Sequence, residues 1–124
     1  AQNPNARTCW VAGFSFGAWI GMQLLMRRPE ISGFISVAPP ANMYDFTFLA
    51  PCPASGLIIN GSADRVVPPA DVEGVTERLQ QQKGITITHE TVPDAGHFFE
   101  TGMDPMIESV KAYVTRRLGE PDIR

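Results

Sequence analysis

Cysteine is scarce in this chain, and its two copies, Cys9 and Cys52, are too few for a disulfide framework. Two reduced, mostly buried thiols are the expectation, which favours a cytoplasmic setting. Histidine is equally scarce: His89 and His97 stand in separate contexts, with no His-Glu-x-x-His and no cysteine pair beside them, so no metal site is expected. Neither sign of charge dominates, with 10 basic against 13 acidic residues, a net charge of -3 and a pI of about 5.3. Basic residues are scattered apart from Arg27-Arg28 and Arg116-Arg117, which argues against a nucleic-acid partner. No apolar run approaches a membrane span, and no basic-then-apolar leader opens the chain. There is no Gly-x-Gly-x-x-Gly and no phosphate-loop lysine, so no cofactor is expected. The sequon Asn60-Gly61-Ser62 directly follows a strand-like run and is not expected to be glycosylated.

What is present is an alternation of strand and helix patterns over 124 residues, enough for one globular unit with a moderate core. Residues 1–8 read as a loop lead-in and 120–124 as a tail. Strands are expected at 9–14, 33–38, 57–60 and 85–89, the last extending toward Val92. The first helix is expected from 16 to about 28, with Ile20 and Leu24 at helical spacing and Ala18, Gly21 and Met22 on a crowded face against the sheet. Residues 41–55 read as an irregular folded cover containing Tyr44, Phe46, Phe48 and Leu49. A second helix is expected from 71 to 83 with Asp71 as its cap and Val72, Val75 and Leu79 inward. Asp104-Pro105 opens a third, closed by Gly119, with an apolar stripe of Ile107, Val110, Val114 and Leu118. This pattern predicts an α/β fold: three α/β/α layers around a mostly parallel sheet of about four strands, with right-handed crossovers.

The chain is organised around Gly13-Phe14-Ser15-Phe16-Gly17, a Gly-x-Ser-x-Gly between the first strand and the first helix. Glycines on both sides leave room for a tight turn that holds the serine hydroxyl above the strand's carboxyl end. The Phe16 N–H at the new helix's start is then aimed at an oxyanion. Asp64 and His97 each follow a different later strand, so all three loops are expected on one edge of the sheet. Serine needs a nearby imidazole to take its proton, and a carboxylate to fix that imidazole's tautomer. The competing acids are Asp45 and Asp94, the latter three residues from His97 in the same loop. Other roles compete as well: Ser15 as a plain helix cap, Asp64 closing a turn or pairing with Arg65, and His97 as a structural side chain. His89, inside an alternating strand, reads as packed or surface histidine. Phe14, Phe16, Trp19, Tyr44, Phe46 and Phe98 are candidates for an apolar acyl slot.

Three marks in order make the chain resemble the carboxyl-terminal half of an α/β-hydrolase, similar to small lidless, dienelactone-hydrolase-like serine hydrolases. They are Gly13 to Gly17 as nucleophile elbow, Gly61-Ser62-Ala63-Asp64-Arg65-Val66-Val67-Pro68 as acid loop, and Gly96-His97-Phe98-Phe99 as histidine loop. The resemblance implies that residues 1–124 form a partial domain holding the last four strands of that fold. It also implies that the first strands and a second oxyanion donor lie upstream of Ala1. The expected activity is hydrolysis of a small acyl ester or thioester by Ser15, His97 and Asp64. The rival expectation is a non-catalytic binding or scaffold protein of the same fold, or an inactive fragment. The apolar strand at 9–14 is expected to be covered by the upstream half or by a same-sequence partner.

Overall fold

A computed structural model describes residues 9–49 and 51–119, so the expectations for 1–8 and 120–124 lie outside the described residues. The elements follow in the order β1 (Trp10–Phe14), α1 (Phe16–Arg27), β2 (Gly33–Val37), a 3-10 turn (Thr47–Leu49), β3 (Gly56–Gly61), α2 (Pro69–Gln80), β4 (Ile87–Val92) and α3 (Met103–Gly119). The four strands pair in parallel in the order β1-β2-β3-β4.

Strand alternation sorts the core into two layers. Phe34 and Ile58 point to one face, where Met22 and Leu25 of α1 and Val72, Val75 and Leu79 of α2 cover them. Ile35, Val37, Leu57 and Ile59 point to the other, beneath Tyr113, Met106, Val110 and Val114 of α3. The central strands β2 and β3 are buried along their whole length, as a parallel sheet covered on both faces requires.

Several boundaries differ from the sequence reading. β2 stops at Val37 because Ala38 takes a positive φ of 53° and turns the chain out of the ladder. β4 starts two residues late, since Gly84, at φ 92°, is still turning the chain after α2. Asp71 is not the cap of α2: Pro69 begins the helix and Asp71 lies in its first turn, where its charge favours the N-terminal dipole. Asp104 likewise sits inside the first turn of α3, which starts at Met103 after Gly102. The α3 stripe is shifted as well, with Ile107 and Leu118 exposed and Tyr113 the buried anchor. Arg117 fixes that anchor, donating to the Tyr113 hydroxyl and the Ser32 carbonyl and lying over the Trp10 ring at 4.8 Å.

The cover, described at 41–49 and 51–55, is folded rather than free. Gln82 accepts from the Cys52 amide at 2.7 Å and donates to its carbonyl at 2.6 Å, and burial pushes the Cys52 thiol above its ordinary value. Phe46 and Leu49 plug the α1–α2 side of the core. Phe46, a slot candidate in the sequence, is thus a buried core residue on that side of the sheet. Among the described residues, no helix is long and apolar enough to cross a membrane.

Candidate active site

The turn between β1 and α1 is strained at one residue. Ser15 has φ 55° and ψ -122°, a conformation that costs a non-glycine residue of order 1–3 kcal/mol. Surrounding contacts hold it there: the Ser15 amide donates to the Val37 carbonyl at 2.8 Å, and the Ser15 carbonyl accepts from Ala18 at 2.8 Å to start the helix. Gly13 is required by close approach, because a Cβ there would lie 2.3 Å from the Gly17 carbonyl oxygen. Gly17 does not mirror it. A Cβ at Gly17 meets nothing within 4 Å, so the expected crowding on both sides of the serine holds on one side only.

Ser15 occupies the N-cap position of α1, yet its side chain makes no cap hydrogen bond. The hydroxyl Oγ instead lies 2.8 Å from His97 Nε2. His97 Nδ1 lies 2.8 Å from Asp64 Oδ2, with both side chains buried. The other carboxylate oxygen, Asp64 Oδ1, accepts from the amides of Val66 and Val67, each at 2.8 Å. Asp64 thus closes its own turn with one oxygen and meets the histidine with the other. An acceptor at Oδ2 places the imidazole proton on Nδ1 and leaves the Nε2 lone pair facing the serine hydroxyl.

Two loops must meet for that contact to exist, and the backbone stitches them together. The Ser62 amide donates to the Val92 carbonyl at 3.0 Å, the Ala63 amide to the Ala95 carbonyl at 2.9 Å, and the Asp94 amide to Ser62 Oγ at 2.7 Å. Gly61 permits this, since a Cβ there would sit 2.1 Å from the Ala95 carbonyl oxygen. Asp94 is exposed in the turn at φ 64°, and Asp45 accepts from the Thr47 amide at 2.9 Å, a contact that holds its carboxyl below the usual range. Neither competing acid makes the contact with His97 that Asp64 makes. The sequence marks Gly61 and Ser62 only as part of the acid loop; it shows neither their tie to the histidine loop nor the part Ala95 plays in it.

The aromatic candidates fall into two groups. The Phe14 ring centroid is 5.5 Å from that of His97 and 6.1 Å from that of Phe98, and Phe98 meets His97 edge-on at 5.0 Å. Trp19 stacks on Tyr44 at 4.6 Å, and Phe16 tilts against both. His89 is remote from this constellation, contacting Asn60 Oδ1 at 2.7 Å. Asn60 itself is almost fully buried, which removes the sequon from the surface. No three His, Cys, Asp or Glu side chains gather as a metal-binding set among the described residues.

Comparison with known proteins places this geometry. The crystal structure of ATU1826 from Agrobacterium tumefaciens, a candidate α/β hydrolase of unknown function, is 60% identical and superposes with a TM-score of 0.92 over 98% of this chain and 56% of its own. XC6422 from Xanthomonas campestris, an α/β serine hydrolase without a lid, is 35% identical with a TM-score of 0.75, over 92% of this chain and 50% of its own. The fold is that of an α/β-hydrolase. The uncharacterized protein RP471 of Rickettsia prowazekii is 45% identical over 117 residues, 91% of this chain and 49% of that protein. The chain therefore spans about half the length of the relatives it matches. No family model matches it.

Proposed function

We propose that this protein hydrolyses a carboxylic ester or thioester through an acyl-enzyme intermediate on Ser15. The observation that carries this reading is the continuous chain from Ser15 Oγ to His97 Nε2 and from His97 Nδ1 to Asp64 Oδ2, each link 2.8 Å, on a serine held in a strained turn. Ser15 Oγ attacks the acyl carbon while His97 Nε2 takes its proton. The carbonyl electrons move to oxygen, and the Phe16 N–H at the start of α1 faces that developing charge. His97 then returns the proton to the leaving oxygen or sulfur as its bond to carbon breaks. Water repeats the sequence to release the acid. Asp64 holds the imidazole orientation and offsets its positive charge. Turnover of p-nitrophenyl esters and acyl thioesters by the protein in its natural length, abolished in Ser15→Ala, is the expected result. Absence of turnover across both panels supports the non-catalytic reading instead.

The partner proposed is a folded segment equivalent to the rest of the relatives' length, seated on the free side of β1. That strand pairs with β2 alone among the described residues. Below it runs an apolar groove of about 520 Å3 lined by Phe14, Ile35, Val37, Met103 and Met106, among others. Above it, α1 turns about 100° per residue. With Ala18, Gly21, Met22 and Leu25 on the sheet and Trp19 bonded toward Asp45, Ile20 and Leu24 come out on the opposite flank, both more than two-fifths exposed. Apolar surface in all three layers suits a segment that adds a strand and helices, and this segment is the proposed source of a second oxyanion donor. Slow hydrogen exchange at residues 10–14 in the natural protein is expected. Fast exchange there, or protection that appears only on dimerisation of this same sequence, contradicts the assignment.

A further inference from the structure

The two aromatic groups beside Ser15 lie on opposite sides of the sheet. Trp19 packs with the α1–α2 layer, whereas Phe14 lines the groove on the α3 side. If the hydrolase reading above holds, the chemistry dictates which part of the substrate meets which group. His97 Nε2 must reach the leaving oxygen to protonate it, so the leaving group lies among the neighbours of His97, namely Phe98 at 5.0 Å and Phe14 at 5.5 Å. The oxyanion points to the Phe16 N–H. One direction remains at the tetrahedral carbon, toward the side of Ser15 away from His97.

Of the two aromatic groups, the one without a ring contact to His97 is Phe16, which adjoins Ser15 in sequence, with its ring partners Trp19 and Tyr44. Trp19 follows Ser15 by four residues and shares its helix face. Its indole Nε1 donates to the Asp45 carbonyl at 3.1 Å and draws the loop of Tyr44 over the helix start. The buried face of α1 is made by other residues, Ala18, Gly21, Met22 and Leu25. Phe16, the residue after the nucleophile, is 51% exposed and Tyr44 37%. Trp19 and Tyr44 stack at 4.6 Å and Phe16 tilts against both at 5.8 and 5.4 Å, an aromatic shelf with Phe16 and Tyr44 exposed.

We propose that Phe16, Trp19 and Tyr44 form the acyl subsite, and that this shelf favours a flat, aromatic acyl group over an aliphatic one of similar size. An added ring extends an existing cluster at the 4.5–7 Å spacing that aromatic pairs adopt. Phe14 and Phe98 serve the leaving group and do not read the acyl part.

Boronic acids test this without any turnover. Ser15 Oγ forms a bond to boron, its proton passes to His97, and the tetrahedral boronate keeps its carbon substituent where the acyl group would lie. Protection of Ser15 from a fluorophosphonate is measured in the natural-length protein with phenylboronic and n-hexylboronic acid. Phenylboronic acid is expected to protect at about three- to tenfold lower concentration. Tyr44→Ala should bring that ratio close to one, Tyr44→Phe should keep it, and Phe98→Ala should leave it unchanged. A ratio near one in the parent protein, a ratio indifferent to Tyr44→Ala, or one that collapses in Phe98→Ala overturns the subsite while leaving the hydrolase reading intact. Failure of the fluorophosphonate to label Ser15 at all removes both.

Discussion

The two halves of the candidate site are built by different means. On the β1 side a single local turn does the work: Ser15 is strained, Gly13 lets the strand pass so close to Gly17 that a Cβ would lie 2.3 Å from its carbonyl oxygen, and the hydroxyl is left free of the helix. On the β3–β4 side no residue matters alone. Asp64 and His97 meet because Ser62, Ala63 and Asp94 tie two loops together across a gap that Gly61 keeps open. The first half is a property of five consecutive residues. The second belongs to loops more than thirty residues apart in sequence.

The comparison is sharpened most by the acid. Asp64→Asn is expected to lower kcat by about 10⁴, because the amide no longer fixes the productive tautomer, as an acid-to-amide change does in a serine-protease triad. Asp94→Asn, which keeps the hydrogen bond from the residue's backbone N–H to Ser62 Oγ, should leave kcat within a few-fold. Steady-state kinetics on the two variants checks this, and a reversed pattern would transfer the acid to Asp94.

The elbow gives the next effect. Gly13→Ala forces a methyl against backbone and is expected to cost about 1–3 kcal/mol of stability along with the activity. Gly17→Ala meets open space and should be neutral or stabilising by up to about 1 kcal/mol. Urea unfolding of both variants separates the two glycines. Ser15→Gly relieves the positive φ and is expected to raise stability by about 1 kcal/mol while abolishing labelling. A Ser15→Gly variant no more stable than the parent would show that the turn stores no strain.

The smallest effect lies away from the site. Burial holds the His89 imidazole below its ordinary value of 6.5, with Glu73 and Glu90 opposing the shift. Below that value the unfolded chain binds the proton more readily than the folded one, so stability rises with pH through the window just under 6.5 and is lost on acidification. Thermal melts from pH 5 to 7 should show a slope that His89→Gln flattens.

Much of the architecture was legible because strand and helix periods alternate cleanly, and the three site loops were recognisable as short motifs. Boundaries failed where one residue's backbone angle decided them, as at Ala38 and Gly84. Phe46 looked like slot lining because aromatic side chains in a loop give no sign of which way they face, and the core claims it. The stitching by Ser62 left no signal, since a serine in a turn is ordinary until its partner loop is placed beside it.

Covalent capture tests the central claim most directly. The natural-length protein is treated with a fluorophosphonate, and the modified peptide is mapped by mass spectrometry. A single adduct on Ser15, lost in His97→Ala, is the predicted result. Correctly folded protein that stays unmodified, under conditions that fully label a known serine hydrolase, would contradict it.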